Sequence, residues 1–160
     1  MQLRTTLRPG DLGLIVALHG TVYTAEYGLD TTFEGYVAAE LGKLAQAYHS
    51  ERDRLWLAET GGRVVGSVAV VGHPGGAAQL RWFLVDPAAR GKGLGRRLLR
   101  EALAFCRQSG ARSVFLWTLS ELTVAASLYR EAGFQRTQTR THALWGAVRT
   151  EERYDLLLNP

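Results

Sequence analysis

A chain of 160 residues, 46% hydrophobic and 21% charged, has the length and composition of one folded domain rather than of a disordered or fibrous chain. No run approaches the roughly twenty apolar residues of a membrane helix, and the opening MQLRTTLRPGD lacks the apolar core of a secretory leader. The net charge of +4 is uneven: seven cations and one acid lie between Arg90 and Arg112, and four acids with no cation between Glu26 and Glu40. A cytoplasmic protein with an anion-binding end and a cation-tolerant end is expected. In chain order, Gln2–Leu7 reads as a short strand closed by Pro9-Gly10. Asp11 is placed to cap a helix carrying Leu12, Ile15 and Leu18. A second helix follows Gly28, with Phe33, Val37, Leu41 and Leu44 at helical spacing. Leu55–Glu59 and Val64–Val71 flank Thr60-Gly61-Gly62-Arg63 and read as a hairpin.

After the GHPGG loop, Ala78–Val85 is a further strand, and a helix from about Gly93 to Gln108 has Leu98, Leu99, Ala102, Leu103 and Cys106 on one face. Cys106, the single cysteine, is therefore expected to be a small core residue. Val114–Leu119 reads as a buried strand, and a short helix over Thr123–Ala132 stops at Gly133. Phe134 onward is strand, and Arg153–Leu158 closes the chain with another. The order β-α-α-β-β-β-α-β-α-β-β is that of a mixed α/β sheet with helices on its faces. No repeat or linker interrupts it, so residues 1–160 are expected to form a single domain.

The stretch VDPAARGKGLGRRLLREAL, Val85–Leu103, carries the clearest chemistry. A Walker loop would need Ser or Thr after Lys92, where Gly93 stands. A dinucleotide fingerprint would need glycine where Arg96 stands. What remains is Arg90-x-x-Gly93-x-Gly95 between a strand and a helix. Residues without Cβ let backbone amides approach an anion, and the helix that starts there adds free N–H groups and a positive dipole end. With Arg90, Lys92, Arg96 and Arg97 around it, the loop suits a pyrophosphate.

LVDPAARGKGLGRRLLREAL resembles the coenzyme A signature of the GNAT N-acetyltransferases, and AASLYREAGF (Ala125–Phe134) resembles the family's next segment, in the family's order and spacing. The resemblance implies a GNAT fold: a mixed, mostly antiparallel central sheet of about seven strands flanked by about four helices. It implies acetyl-CoA as cosubstrate, held by Phe83, Leu84 and Val85 of the strand and by Arg90, Gly91, Lys92, Gly93, Leu94, Gly95 and Arg96 of the loop. It gives Tyr129 the place of the general acid that protonates the leaving thiolate. A tyrosine's ordinary pKa of about 10 keeps it a donor at neutral pH. The segment Leu116–Leu158 looks most like the acetyltransferase halves fused to MarR-type regulators. No winged-helix segment accompanies it and the basic helix lacks interleaved stacking aromatics, so no nucleic-acid partner is expected.

The sequence departs from the family in two places. Leu122 stands where many relatives have an asparagine, and Trp117 where protein-acetylating relatives place a glutamate base. The base is then open among Glu121, Glu34, Glu26 and a water chain. The acceptor is expected against His19–Glu34 and the late strands, with Tyr27, Glu34, His142 and Trp145 as its contacts. His19 itself reads as structural, His49 and His73 as surface residues, and Trp56 and Trp82 as sheet packing. No metal is expected. The expected partners are a small-molecule or peptide-like amine and a second copy of the chain in a homodimer, with no membrane. The expected reaction is direct attack of a primary amine on the thioester. The rival expectation is a non-catalytic acyl-CoA-binding regulatory module.

Overall fold

RLWLAET at residues 54–60 sends successive side chains to opposite sides, as a strand buried on both faces must. Leu55 and Leu57 join one apolar cluster with Ile15, Phe33, Val37 and Leu41; Trp56 and Ala58 join another with Leu98, Leu103, Val114 and Tyr154. The sheet between these clusters, in a computed structural model that describes residues 1–158, has seven strands in the order β1-β2-β3-β4-β5-β7-β6. They are β1 (Gln2–Arg4), β2 (Arg54–Thr60), β3 (Arg63–Gly72), β4 (Ala77–Val85), β5 (Ser113–Leu119), β6 (Gln135–Leu144) and β7 (Ala147–Leu157). The helices α1 (Asp11–Tyr27) and α2 (Thr31–Gln46) cover one face, and α3 (Leu94–Gln108) and α4 (Thr123–Glu131) the other. All neighbouring strands are antiparallel except β4 and β5. The expected element order and the mixed, mostly antiparallel sheet are found. No described helix is long and apolar enough to cross a membrane.

Three local expectations need correction. β1 ends at Arg4, and β7 begins at Ala147, six residues before the strand read from the sequence. Asp11 does not cap α1. Gly10 holds the cap position in the left-handed region at φ 93°, and Asp11 is the first helical residue. Its carboxylate accepts from Arg4 at 2.7 and 3.0 Å and from the Arg8 amide at 2.5 Å, while Arg4 also reaches Glu59 at 2.6 Å.

This triad, with Arg4 and Asp11 buried and Glu59 half-buried, ties β1, α1 and β2 together. The Arg4 hydrogen bond holds the Asp11 carboxyl below the usual carboxylate range. That contribution is present above about pH 4 and is lost as pH falls through the lowered value. Replacing Arg4 with methionine leaves Asp11 at 4% exposure without its counter-charge, and should cost about 3 kcal/mol of stability. The shift of the urea midpoint measures it; a loss under about 1 kcal/mol, the size of an exposed pair, would show the triad to be incidental.

Candidate functional site: two joined cavities at a splayed strand pair

β4 and β5 pair only from Ala77–Ser113 to Gln79–Phe115, and beyond that point β4 has no partner on its β5 side. A bulge accompanies the parting. On β3, Val68 alone stands opposite Trp82 and Phe83, and Trp82 takes a φ of +46°. The Ser67 hydroxyl, itself buried, donates to the Trp82 carbonyl at 2.7 Å and holds the bulge in place. The split leaves strand backbone available to a ligand and opens a cavity on each side. Tyr23, Phe83 and Leu122 line both cavities and form the neck between them.

The larger cavity, about 500 Å³, is lined by β4, the glycine loop, the start of α3 and α4. Gly91 and Gly93 sit at φ 78° and 76°, where a side chain would be strained, and the space beside their Cα atoms is open. The first α-helical bond of α3 runs from the Arg97 amide to the Gly93 carbonyl at 3.1 Å. The amides of Leu94, Gly95 and Arg96 have no intrahelical acceptor, which suits an anion. A Cβ on Gly95 would lie 3.1 Å from Leu128 Cδ1, so this glycine keeps the passage between α3 and α4 clear. Of the residues that the family resemblance assigns to the cosubstrate, Phe83, Leu84, Val85, Arg90, Gly91, Gly93, Leu94, Gly95 and Arg96 line this cavity, and Lys92 does not.

The charge there is more balanced than the sequence implied. Arg90 donates Nε to the Val85 carbonyl at 3.1 Å and forks onto Glu26 at 2.8 and 2.5 Å; Arg96 forks onto Glu131 at 3.1 Å. The Arg90 hydrogen bond draws the Glu26 carboxyl below its ordinary range. The arrangement fits a diphosphate on an extended arm. If this cavity holds the coenzyme A that the family resemblance implies, Gly95→Val should weaken its binding about tenfold to a hundredfold, because the added methyl groups meet Leu128 and narrow the passage. Calorimetric titration of the folded variant would measure it, and unchanged affinity would place the coenzyme elsewhere.

The smaller cavity, about 170 Å³, lies on the other side of the neck. Tyr129 reaches it from α4, its ring packed by Phe83, Phe134 and Tyr154. Burial, with Tyr23 adding to it, pushes the Tyr129 hydroxyl above the usual tyrosine range, and no described residue bonds it. Glu151, on β7 and 8% exposed, lines the same cavity. Its Oε2 accepts from Arg140 Nε at 2.8 Å and from His142 Nε2 at 2.7 Å, and its Oε1 has no partner among the described residues. His19, on α1, is buried and lines the same cavity. Its Nδ1 lies 2.8 Å from the Ile15 carbonyl and so carries the proton, leaving Nε2 an unpartnered acceptor. Burial lowers its pKa to about 4, so the ring is neutral at pH 7.

Trp145 closes the far end. With Gly146 it forms a two-residue turn between β6 and β7, both residues at positive φ, and its ring packs on Phe33 at 4.9 Å.

The remaining expected site residues are dispersed. Tyr27 lines the larger cavity, not the smaller. Glu34 lines neither cavity and packs on Gly20 of α1. Glu121 pairs with Arg149 at 3.3 Å, and Glu26 is held by Arg90. His142 acts on the cavity through Glu151. The acidic stretch is thus not a cation-tolerant wall: Glu26 and Glu40 are paired to arginines, and Asp30 caps α2 by accepting from the Thr32 amide at 3.0 Å. Glu151, Arg140 and Tyr23 were not singled out from the sequence. The available signal was the alternation of Arg149, Glu151 and Arg153, hidden by a strand start that reads as a polar loop. Among the described residues, no group of three or more His, Cys, Asp or Glu is placed to hold a metal.

Comparison with known proteins agrees with this geometry. The family model described as acetyltransferase (GNAT) family matches residues 22–134. The uncharacterized N-acetyltransferase YjgM of Escherichia coli K12 is 34% identical over 117 residues, covering 70% of this chain and 70% of its own. N-acetyltransferase family 8 member 2 of Rattus norvegicus is 38% identical over 104 residues, covering 62% of this chain and 46% of its own, so the chain spans about half that relative's length. The structure of yncA from Salmonella typhimurium, solved with its cofactor acetyl-CoA, shares the fold at a TM-score of 0.76 and 19% identity, covering 100% of this chain and 95% of its own. With a glycine loop of the required form at the mouth of a split sheet, and a family match across most of its length, this chain belongs to the acetyltransferase (GNAT) family.

Proposed function

We propose that the chain is an acetyl-CoA-dependent N-acetyltransferase that moves the acetyl group to a primary amine of a small molecule, amino acid or peptide. The observation that carries this is the meeting of the two cavities at Tyr23 and Phe83, with Tyr129 Oη and Glu151 Oε1 both unbonded on the acceptor side. Acetyl-coenzyme A supplies the acetyl group activated as a thioester. The glycine loop and the first amides of α3 hold its diphosphate, and the unpaired edge of β4 orients the arm and polarises the acetyl carbonyl.

The acceptor enters as an ammonium and leaves as an amide, so its nitrogen must shed two protons. Glu151 Oε1 takes the first, which frees the lone pair that attacks the carbonyl. The second leaves as the C–N bond forms and the C–S bond breaks. Tyr129 gives its hydroxyl proton to the departing sulfur. Because burial makes a tyrosinate costly, that donation is coupled to the second amine proton, which restores the hydroxyl. One proton reaches solvent in each turnover. Tyr129 is the general acid in this scheme and Glu151 the base, in place of Glu121, Glu34 and Glu26.

Thiol release with acetyl-CoA against an amine panel tests the reading. It fails if coenzyme A does not bind at millimolar concentration, or if no amine supports release. The likeness to MarR-fused acetyltransferase halves rests on Leu116–Leu158 alone and adds no activity to this scheme.

A further inference from the structure

The walls of the acceptor cavity carry one carboxylate, Glu151, and two guanidinium groups, Arg81 and Arg140. Arg81 is engaged through both terminal nitrogens, with Nη1 on Glu40 at 3.2 Å and Nη2 on the Tyr36 hydroxyl at 2.8 Å. Arg140 is not. Its guanidinium lies 4.3 Å over the Trp117 ring and its Nε is spent on Glu151, but neither Nη has a partner among the described residues. Arg140 and Glu151 are register partners on β6 and β7, a pairing that sets their Cβ atoms about 5 Å apart. A free guanidinium edge and a free carboxylate oxygen therefore stand side by side on one wall.

We propose that the acceptor is an amine that also carries a carboxylate, of the α-amino-acid class. Its ammonium sits on Glu151 Oε1 and its carboxylate on the Nη edge of Arg140. The inference rests on the N-acetyltransferase reading and narrows it.

Several observations converge on this class. An α-amino acid bears its ammonium and carboxylate on one carbon, which matches neighbouring acceptor and donor groups on one wall. The guanidinium lies 4.3 Å over an indole ring, a cation–π contact, and its fork is a group that carboxylates bind bidentately. His19 lines the same cavity from α1, and its buried, unpartnered Nε2 is a further acceptor for an ammonium, which has three hydrogens to place. The rest of the wall is aromatic, through Phe33, Trp82 and Trp145, and suits an apolar side chain.

The experiment compares matched acceptors in the thiol-release assay with acetyl-CoA: L-leucine and L-phenylalanine, the amines that lack their carboxyl groups (3-methylbutylamine and 2-phenylethylamine), and the two amino-acid amides. The wild-type chain should favour each amino acid over its amine and its amide by about tenfold to a hundredfold in kcat/KM, the size of a charged hydrogen-bonded contact. In Arg140→Gln that ratio should collapse toward one. Arg140 also holds Glu151, so absolute rates fall for every acceptor, but the ratio reads the carboxylate contact alone. Coenzyme A titration shows whether the variant is folded; if it is not, the wild-type ratios decide.

Equal or better use of the plain amines, or a ratio that survives Arg140→Gln, overturns the inference and leaves the N-acetyltransferase reading intact. Turnover of neither amino acids nor amines overturns both.

Discussion

Replacing Tyr129 with phenylalanine should lower kcat by about three orders of magnitude while leaving coenzyme A affinity nearly unchanged. The substitution keeps the ring that Phe83, Phe134 and Tyr154 pack against, and removes a hydroxyl that no described residue bonds. Folding should therefore be almost untouched, and thermal unfolding of the variant is the control. The sign of the pH dependence follows from burial. The hydroxyl must be protonated to act, and its pKa is raised, so Tyr129 contributes no falling limb to the rate until pH passes above the ordinary tyrosine range. Turnover unchanged in the phenylalanine variant would remove Tyr129 from the general-acid role, and coenzyme A binding with no turnover in the wild-type chain would favour the non-catalytic acyl-CoA-binding module.

Glu151→Gln should have an effect of similar size with a different signature. Glutamine keeps an oxygen for Arg140 and His142 but cannot take the ammonium proton. The reaction then depends on amine already neutral in solution, and that fraction rises about tenfold per pH unit up to the amine's own pKa. At neutral pH kcat should fall by about two to four orders of magnitude, and the deficit should shrink steadily as pH is raised. A deficit that is constant with pH would make Glu151 a positioning residue rather than the base. A rate equal to wild type would return the role to a water chain.

These two residues were unequally legible in the sequence. Tyr129 stands in a contiguous segment, AASLYREAGF, whose helical spacing and terminal glycine mark its place on α4. The glycine loop was legible for the same reason. Its chemistry is local, and backbone freedom at Gly91 and Gly93 and the free amides of α3 follow from a dozen neighbouring residues. Glu151 belongs to AVRTEER, which carries charges at inward positions and so resembles a surface loop. It becomes part of a wall only because β7 pairs with β5 through Leu119 and with β6 through Arg140. The acidic stretch on α1 and α2 misled in the opposite sense. As a run of charge it suggests a site for cations, yet Arg90 and Arg81, far along the chain, neutralise Glu26 and Glu40.

The sequence by itself determined the order of eleven elements and the open backbone of the glycine loop, because each rests on periodicity or on a short motif whose physics is complete within one turn or strand, while the family and the candidate acid were legible through a resemblance of motifs. Tertiary structure alone decided the acceptor side. The parting of β4 from β5, the bulge at Trp82 and the wall of Glu151, Arg140 and His19 are built from five separate elements. Polar groups as far apart in the chain as His19 and Glu151 meet there, and only folding sets which of them remain unpaired and able to bind a substrate.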